Sequence, residues 1–406
     1  MGGDNWYNRC MKIICCLAAA AIASASCASD LPAAAIPRMG LGNSRAVFET
    51  TGKGNVAFLG GSITEMKGYR PILMKSLEKR FPRVKFSFVS AGVSSTCADT
   101  GAFRVDEDVF SKGVPDLLFV EFAVNEDQDG HKTKAQSIRA LEGIVRHARR
   151  LNPKMDIVLS MLVNGHELKQ VQSGEVPEPY AAHLAVADHY GLPTANIGAE
   201  LAARIERGEF TWKLYRDCHP SPEGNRLVAD VQERLFDAAK FGEPFSGGEA
   251  VPRAMPPPMD PLCYEEGRFL DFSAVKIEGG WSVSVPDLSA SAVTVRPQAR
   301  AVNLHAEKPG AKCSFRFEGT AAGLYVTAGP DAGMLDVSVD GAPPRRVDLW
   351  DAYSPRLHYP KTVMIAEGLE RGPHTVEMVL SAERNPASSG TACRIFRVCV
   401  NGRAAR

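Results

Sequence analysis

The chain has 406 residues, of which 45% are hydrophobic and 23% charged, and 47 basic residues balance 47 acidic ones. That length suits two or three globular domains, and the composition excludes a mainly disordered chain, a collagen-like repeat and a coiled coil. A net charge of zero, with no run of five like charges, removes the basic footprint that a nucleic-acid binder needs.

Ile13 to Ala25 is apolar or small throughout, preceded by Lys12 and closed by Ala23-Ser24-Ala25. It is too short to span a bilayer comfortably and reads as an export signal over residues 1–28, with Met11-Lys12 the more natural start. Cys27 follows Ala25-Ser26, so either simple cleavage or lipidation at Cys27 ends the segment; Ser24 stands where a lipoprotein signal usually has Leu. No second long apolar run follows, so no transmembrane span is expected. The protein should be periplasmic, cell-surface or extracellular. The six cysteines beyond the signal are Cys97, Cys218, Cys263, Cys313, Cys393 and Cys399. None has zinc-site spacing, and an oxidising compartment favours structural disulfides.

From Asn55 to about Phe241, apolar runs alternate with helical patterns. The runs are Val56–Leu59, Val84–Val89, Asp116–Val124, Ile157–Val163 and the weaker Pro193–Ile197. Strands apolar on both faces are typical of a parallel sheet covered by helices. Between them, Ile138, Leu141, Ile144, Val145, Ala148 and Leu151 recur at helical spacing, as do Leu227, Val228, Val231, Leu235 and Phe236. The latter set follows Ser221-Pro222, a cap and first-turn pair. The expectation is an α/β domain over residues 45–241.

Residues 242–262 are rich in Pro and Gly and read as a linker. Over residues 263–406 helical periodicity gives way to short alternating segments: Trp281–Val285, Ala292–Val295, Cys313–Phe317, Gly323–Val326, Leu335–Val339, Thr375–Val379 and Cys393–Val398. With turn signals such as Asp340-Gly341 between them, they read as an all-β sandwich. Tyr325 sits on an alternating strand and reads as core. Trp350 and Tyr353, in the loop-like stretch Asp348–Pro360, are better placed to stack on a sugar ring.

Chemistry-bearing residues fall at strand ends. The first strand closes with Gly60-Gly61-Ser62, placing Ser62 at the carboxyl edge of the sheet, where open α/β folds bind ligands. Ser62 is either a reactive hydroxyl there or a helix cap. Gly92 ends the second strand and can offer a backbone N–H. Asn125, past the third, either places amide donors in the same crevice or closes an Asx turn. Asp217-Cys218-His219-Pro220 precedes the last helix, and His219 is the one His followed by Pro, which holds it extended.

These four blocks, in this order, resemble the SGNH or GDSL-type hydrolase family over roughly residues 54–240. The resemblance implies a three-layer α/β/α sandwich with a parallel, flavodoxin-like central sheet, followed here by a jelly-roll-like β-sandwich. It makes Ser62 the nucleophile and His219 the general base. It makes the N–H groups of Ser62 and Gly92 and the amide of Asn125 the oxyanion hole, and Asp217 the acid that orients His219. The chain departs from the family in Gly61, where Asp is usual, and in Glu126, where Asp follows the Asn. The family norm also puts the acid three residues before His; that position is Arg216, and Asp217 is two before, so either Asp217 or a backbone carbonyl orients the ring.

The family placement also brings Cys97 and Cys218 to the border of one crevice, either as a disulfide or as two unpaired thiols. Export and the appended β-domain make the expected activity that of a secreted serine esterase on O-acyl, above all O-acetyl, groups of an extracellular glycan. No cofactor or metal is implied. A lipolytic esterase or lysophospholipase, and an inactive glycan-binding protein, are the alternatives.

Overall fold

The computed structural model describes residues 33–405; the expected export signal and Cys27 lie outside them. The first half runs β1 (Ala35–Ile36), α1 (Gly42–Thr51), β2 (Lys53–Gly60), α2 (Ser62–Glu65), α3 (Tyr69–Arg80), β3 (Lys85–Gly92), α4 (Ala98–Asp108), β4 (Leu117–Glu121) and α5 (Ala123–Gln128). It continues through α6 (Lys134–Leu151), β5 (Asp156–Met161), α7 (Gly165–Gln172), α8 (Glu178–Tyr190), β6 (Thr194–Asn196), α9 (Ile197–Glu206), α10 (Trp212–Tyr215) and α11 (Pro222–Ala238). The strands form one six-stranded sheet in the order β1-β6-β5-β4-β2-β3. All pairs are parallel except the edge strand β1, which the sequence pattern did not reveal because it is two residues long.

The apolar runs are strands because both faces of the sheet are covered. On one face α6 packs between α4 and α8; on the other α11 packs against α3 and α9. Val56, Phe58, Phe119 and Val158 are fully or almost fully buried as a result. Ser221 caps α11, its Oγ accepting from the Gly224 N–H at 3.0 Å, with Pro222 at the first helical position. The third strand ends earlier than its apolar run suggests. It stops at Glu121, and Ala123 already belongs to α5, so Asn125 lies in a helical first turn.

The second half is β-rich: β7 (Gly267–Leu270), β8 (Val275–Gly279), β9 (Ser282–Ser284), β10 (Thr294–Val295), β11 (Asn303–Ala306), β12 (Lys312–Ala328), β13 (Met334–Val339), β14 (Arg345–Asp348), β15 (Leu357–Ala366), β16 (Gly372–Leu380) and β17 (Cys393–Ala404). Two expected strands, Cys313–Phe317 and Gly323–Val326, are one 17-residue strand, β12. Its first half pairs with β8 and β16 and its second with β15 and β17. Between the two expected strands lies a bulge at Gly319. A Cβ there would stand 2.1 Å from the Asn401 carbonyl oxygen, so glycine lets the strand bend instead of stopping.

Residues 242–262 hold no helix or strand, as a linker should, but the segment is pinned to the α/β part. Arg253 pairs with the buried carboxylate of Asp156 at 2.5 Å. The Glu142 carboxylate accepts from the N–H groups of Met259 (2.6 Å) and Asp260 (2.8 Å). Beyond it Tyr264 packs on Phe103 with ring centroids 5.0 Å apart. Tyr325 and Cys399 join Ala102 and Phe103 in one buried cluster, so the two halves share core.

Candidate active site

Ser62 opens α2 at the carboxyl end of β2, so its backbone N–H has no acceptor within the helix. His219 reaches it from the loop between α10 and α11: Nε2 lies 2.8 Å from Ser62 Oγ. That is the separation a general base needs to take the hydroxyl proton. Bonds on both sides hold the loop. Ser221 Oγ donates to the Leu214 carbonyl (2.6 Å), Asn225 Nδ2 to Pro220 O (2.7 Å) and Arg216 Nε to His219 O (2.8 Å). Arg216 pays for its place with φ +93°, a left-handed conformation unusual for a side chain with a Cβ.

The glycines around Ser62 are explained by close approach. A Cβ on Gly61 would stand 1.9 Å from Asn125 Oδ1, so the missing side chain makes room for that amide beside Ser62. A Cβ on Gly92 would stand 2.1 Å from Glu65 N, so β3 ends directly against the backbone of α2. Gly92 is paired in register with Gly60. Ser62, Gly92, Asn125 and His219 thus converge on one crevice. Asn125 is buried, and its Nδ2 donates to Asp129 Oδ2 at 2.5 Å, leaving a second N–H on the same nitrogen.

Asp217 departs from its expected place. Its Oδ1 is 3.7 Å from His219 Nδ1, beyond hydrogen-bond distance, and instead accepts from the His219 backbone N–H at 2.6 Å. The carboxylate closes the turn rather than holding the ring. The one hydrogen-bond partner of Nδ1 among the described residues is Cys218 Sγ, at 3.4 Å. Of the two alternatives for Cys97 and Cys218, the structure has two free thiols, and the other four cysteines of the described residues are free as well. Each thiol packs on the segment of α5 and the residues after it: Cys97 Sγ donates to Asn125 O (3.3 Å), while Cys218 meets the Gln128 side chain. Burial pushes the Cys97 thiol well up, so it stays protonated.

Several supporting residues escaped the sequence reading. Thr64 Oγ1 bridges Tyr69 Oη and Glu121 Oε2, each at 2.9 Å, directly beneath α2. Burial raises Glu121 to about 8, so it holds its proton at neutral pH and puts no charge under Ser62. A lone acid ending the otherwise apolar run Leu117–Glu121 was the available signal. Arg70 donates to the carbonyls of Thr64, Glu65 (3.0 Å) and Met66 (3.3 Å) and to Ser90 Oγ, tying the end of α2 to β3. Asp129, one helical turn after Asn125, also meets Tyr353 of the β-rich half, whose hydroxyl lies 3.5 Å from Gln128 O. Of the aromatics singled out for stacking, Tyr353 is half-exposed at this edge, whereas Trp350 packs against the β-core. Tyr325 is buried, as its strand position implies.

Comparison with known proteins supports the same reading of the first half. No curated protein matches the chain. Two solved structures of a two-domain esterase (CEX) active on acetylated mannans, one co-crystallised with mannopentaose, align with TM-scores of 0.71 and 0.72 at 22% identity. They cover 90% and 91% of this chain and 96% and 98% of theirs, so the likeness of fold includes the β-rich half. Residues 58–227 match the GDSL-like Lipase/Acylhydrolase family model, a span that holds Ser62, Gly92, Asn125 and His219. Over those residues the chain is similar to the GDSL-like lipase/acylhydrolase family.

Proposed function

We propose that the protein is an exported serine esterase that removes O-acetyl groups from an extracellular polysaccharide. The observation that carries this is the 2.8 Å contact between Ser62 Oγ and His219 Nε2 at the carboxyl edge of the sheet. In the reaction, Ser62 Oγ attacks the ester carbonyl while Nε2 takes its proton. The N–H groups of Ser62 and Gly92 and the amide of Asn125, which lies against Gly61, are the donors assigned to the developing oxyanion; one such donor is worth about a hundred- to a thousandfold in rate. Collapse expels the sugar oxygen, which recovers the proton from Nε2. Water, activated by the same nitrogen, then releases acetate.

A glycan substrate fits the surroundings better than a lipid. A cavity of 410 Å³, lined by neither Ser62 nor His219, opens between the two halves at Asp129, the partner of Asn125, and its walls include Lys132, Asp351, Tyr359 and Lys361. Charged and hydroxyl-bearing walls suit a ligand rich in hydroxyls. Half-exposed Tyr353 at the same edge offers a face for a sugar ring. The two-domain esterase of similar fold acts on acetylated mannans. The proposed export rests on the apolar segment Ile13–Ala25. Among the described residues no helix is long and apolar enough to cross a membrane.

The test is acetate release from acetylated mannan and xylan, set beside hydrolysis of aryl esters of rising acyl length. Acetate release and a rate that falls steeply beyond short acyl chains are expected. A preference for long chains would favour the lipolytic reading, and no hydrolysis of any ester would favour a binding protein.

A further inference from the structure

We infer that Cys218 is the positioning residue for His219, its sulfur filling the role expected of a carboxylate. The inference rests on the proposed esterase function of the Ser62–His219 pair and goes beyond it. For Nε2 to accept the Ser62 proton, the ring must carry its own proton on Nδ1. That tautomer is favoured when Nδ1–H has an acceptor. Sγ of Cys218 stands there at 3.4 Å, within the range of a hydrogen bond to sulfur, and Asp217 Oδ1 lies outside it at 3.7 Å.

The rest of the loop explains why sulfur rather than oxygen takes this position. Asp217 is drawn to the His219 backbone N–H, and Arg216 Nε is bound to the His219 carbonyl. With the two residues before it committed to the turn, the Cys218 side chain meets the ring. Cys218 is held on its far side by the Gln128 side chain. Asp129 and Tyr353 are the other titratable groups acting on the thiol, and they come from the residue that follows α5 and from the β-rich half. Burial, Asp217 and Asp129 together push the thiol up, so it faces the ring as a neutral group. A neutral sulfur is a weak acceptor, which fixes the tautomer without adding a charge beside the imidazolium.

Two replacements separate this from a structural role. Cys218→Val fills the same space, excludes water and offers no acceptor; Cys218→Ser keeps an acceptor. With a short-chain aryl ester, Cys218→Val should lose about ten- to a hundredfold in kcat with KM within about twofold, because the base is present in the wrong tautomer. Cys218→Ser should recover most of that loss. Selective ¹⁵N labelling of histidine gives a readout that needs no activity: His219 should be protonated at Nδ1 in the wild type and shift toward Nε2–H in Cys218→Val. An unchanged tautomer together with wild-type kcat in Cys218→Val overturns the inference. Loss of activity in Ser62→Ala with no effect of Cys218→Val leaves the esterase standing and removes Cys218 from it. A tautomer shift in a protein that hydrolyses no ester does the reverse.

Discussion

Replacing Asp217 by Asn should cost little, although a carboxylate near a catalytic His is commonly taken to be essential. The oxygen that accepts from the His219 N–H at 2.6 Å survives in Asn, so the turn stays closed. What is lost is a negative charge 3.7 Å from Nδ1, between side chains that are 41% and 58% exposed. In a water-like dielectric that charge stabilises the imidazolium by roughly 1 kcal/mol, a factor of about five or six in kcat. A carboxylate that directly held the tautomer would cost on the order of ten thousandfold when lost. The two outcomes are far apart, and kcat on an aryl acetate separates them. Salt adds a second check, because a solvent-exposed charge effect is screened. The ratio of wild-type to Asp217→Asn rates should shrink between about 0.01 and 1 M salt. Asp217→Ala also opens the turn and should cost more than Asp217→Asn. A thousandfold loss in Asp217→Asn, independent of salt, would refute the reasoning and return Asp217 to the triad.

Asn125→Ala should lose about a hundred- to a thousandfold in kcat with little change in KM, since its amide acts on the transition state; steady-state kinetics decide this. Gly92→Ala should damage the site by geometry, because its Cβ falls 2.1 Å from Glu65 N; a melt and kcat at the wild-type level would contradict the close packing of β3 on α2. Glu121→Gln should alter how stability depends on pH. The native carboxyl is raised to about 8 against about 4.5 when exposed, so its contribution is fully present below about 4.5 and is lost as pH rises through 8. Melting curves at pH 5 and pH 8 should show the wild type losing more than the variant, by about 2–4 °C per kcal/mol. Parallel pH dependences would mean that Glu121 is not buried as a neutral acid.

The Ser62–His219 pair was legible where one residue type and one boundary coincide. Ser62 follows two glycines after a buried strand, and His219 is locked by Pro220, so both were visible without coordinates. Asp217 was not, because a shift of one residue in a tight turn decides whether a carboxylate meets its neighbour's backbone or its ring. The choice between a disulfide and two thiols was open for a related reason: closeness to one helix does not by itself bring two thiols to each other. Apolar continuity also overran the end of β4, since Phe122, Ala123 and Val124 are as buried in a turn and helix as in a strand. The residues under the nucleophile, Thr64, Tyr69, Arg70 and Glu121, come together only when β2, β4 and α3 are folded.

Ser62→Ala tests the esterase mechanism most directly. The purified variant and the wild type are compared for acetate released from an acetylated polysaccharide and for kcat on an aryl acetate, with thermal melts alongside. A nucleophilic Ser62 predicts a loss of roughly ten thousandfold or more on both substrates with an unchanged melt. Activity within tenfold of the wild type would contradict it.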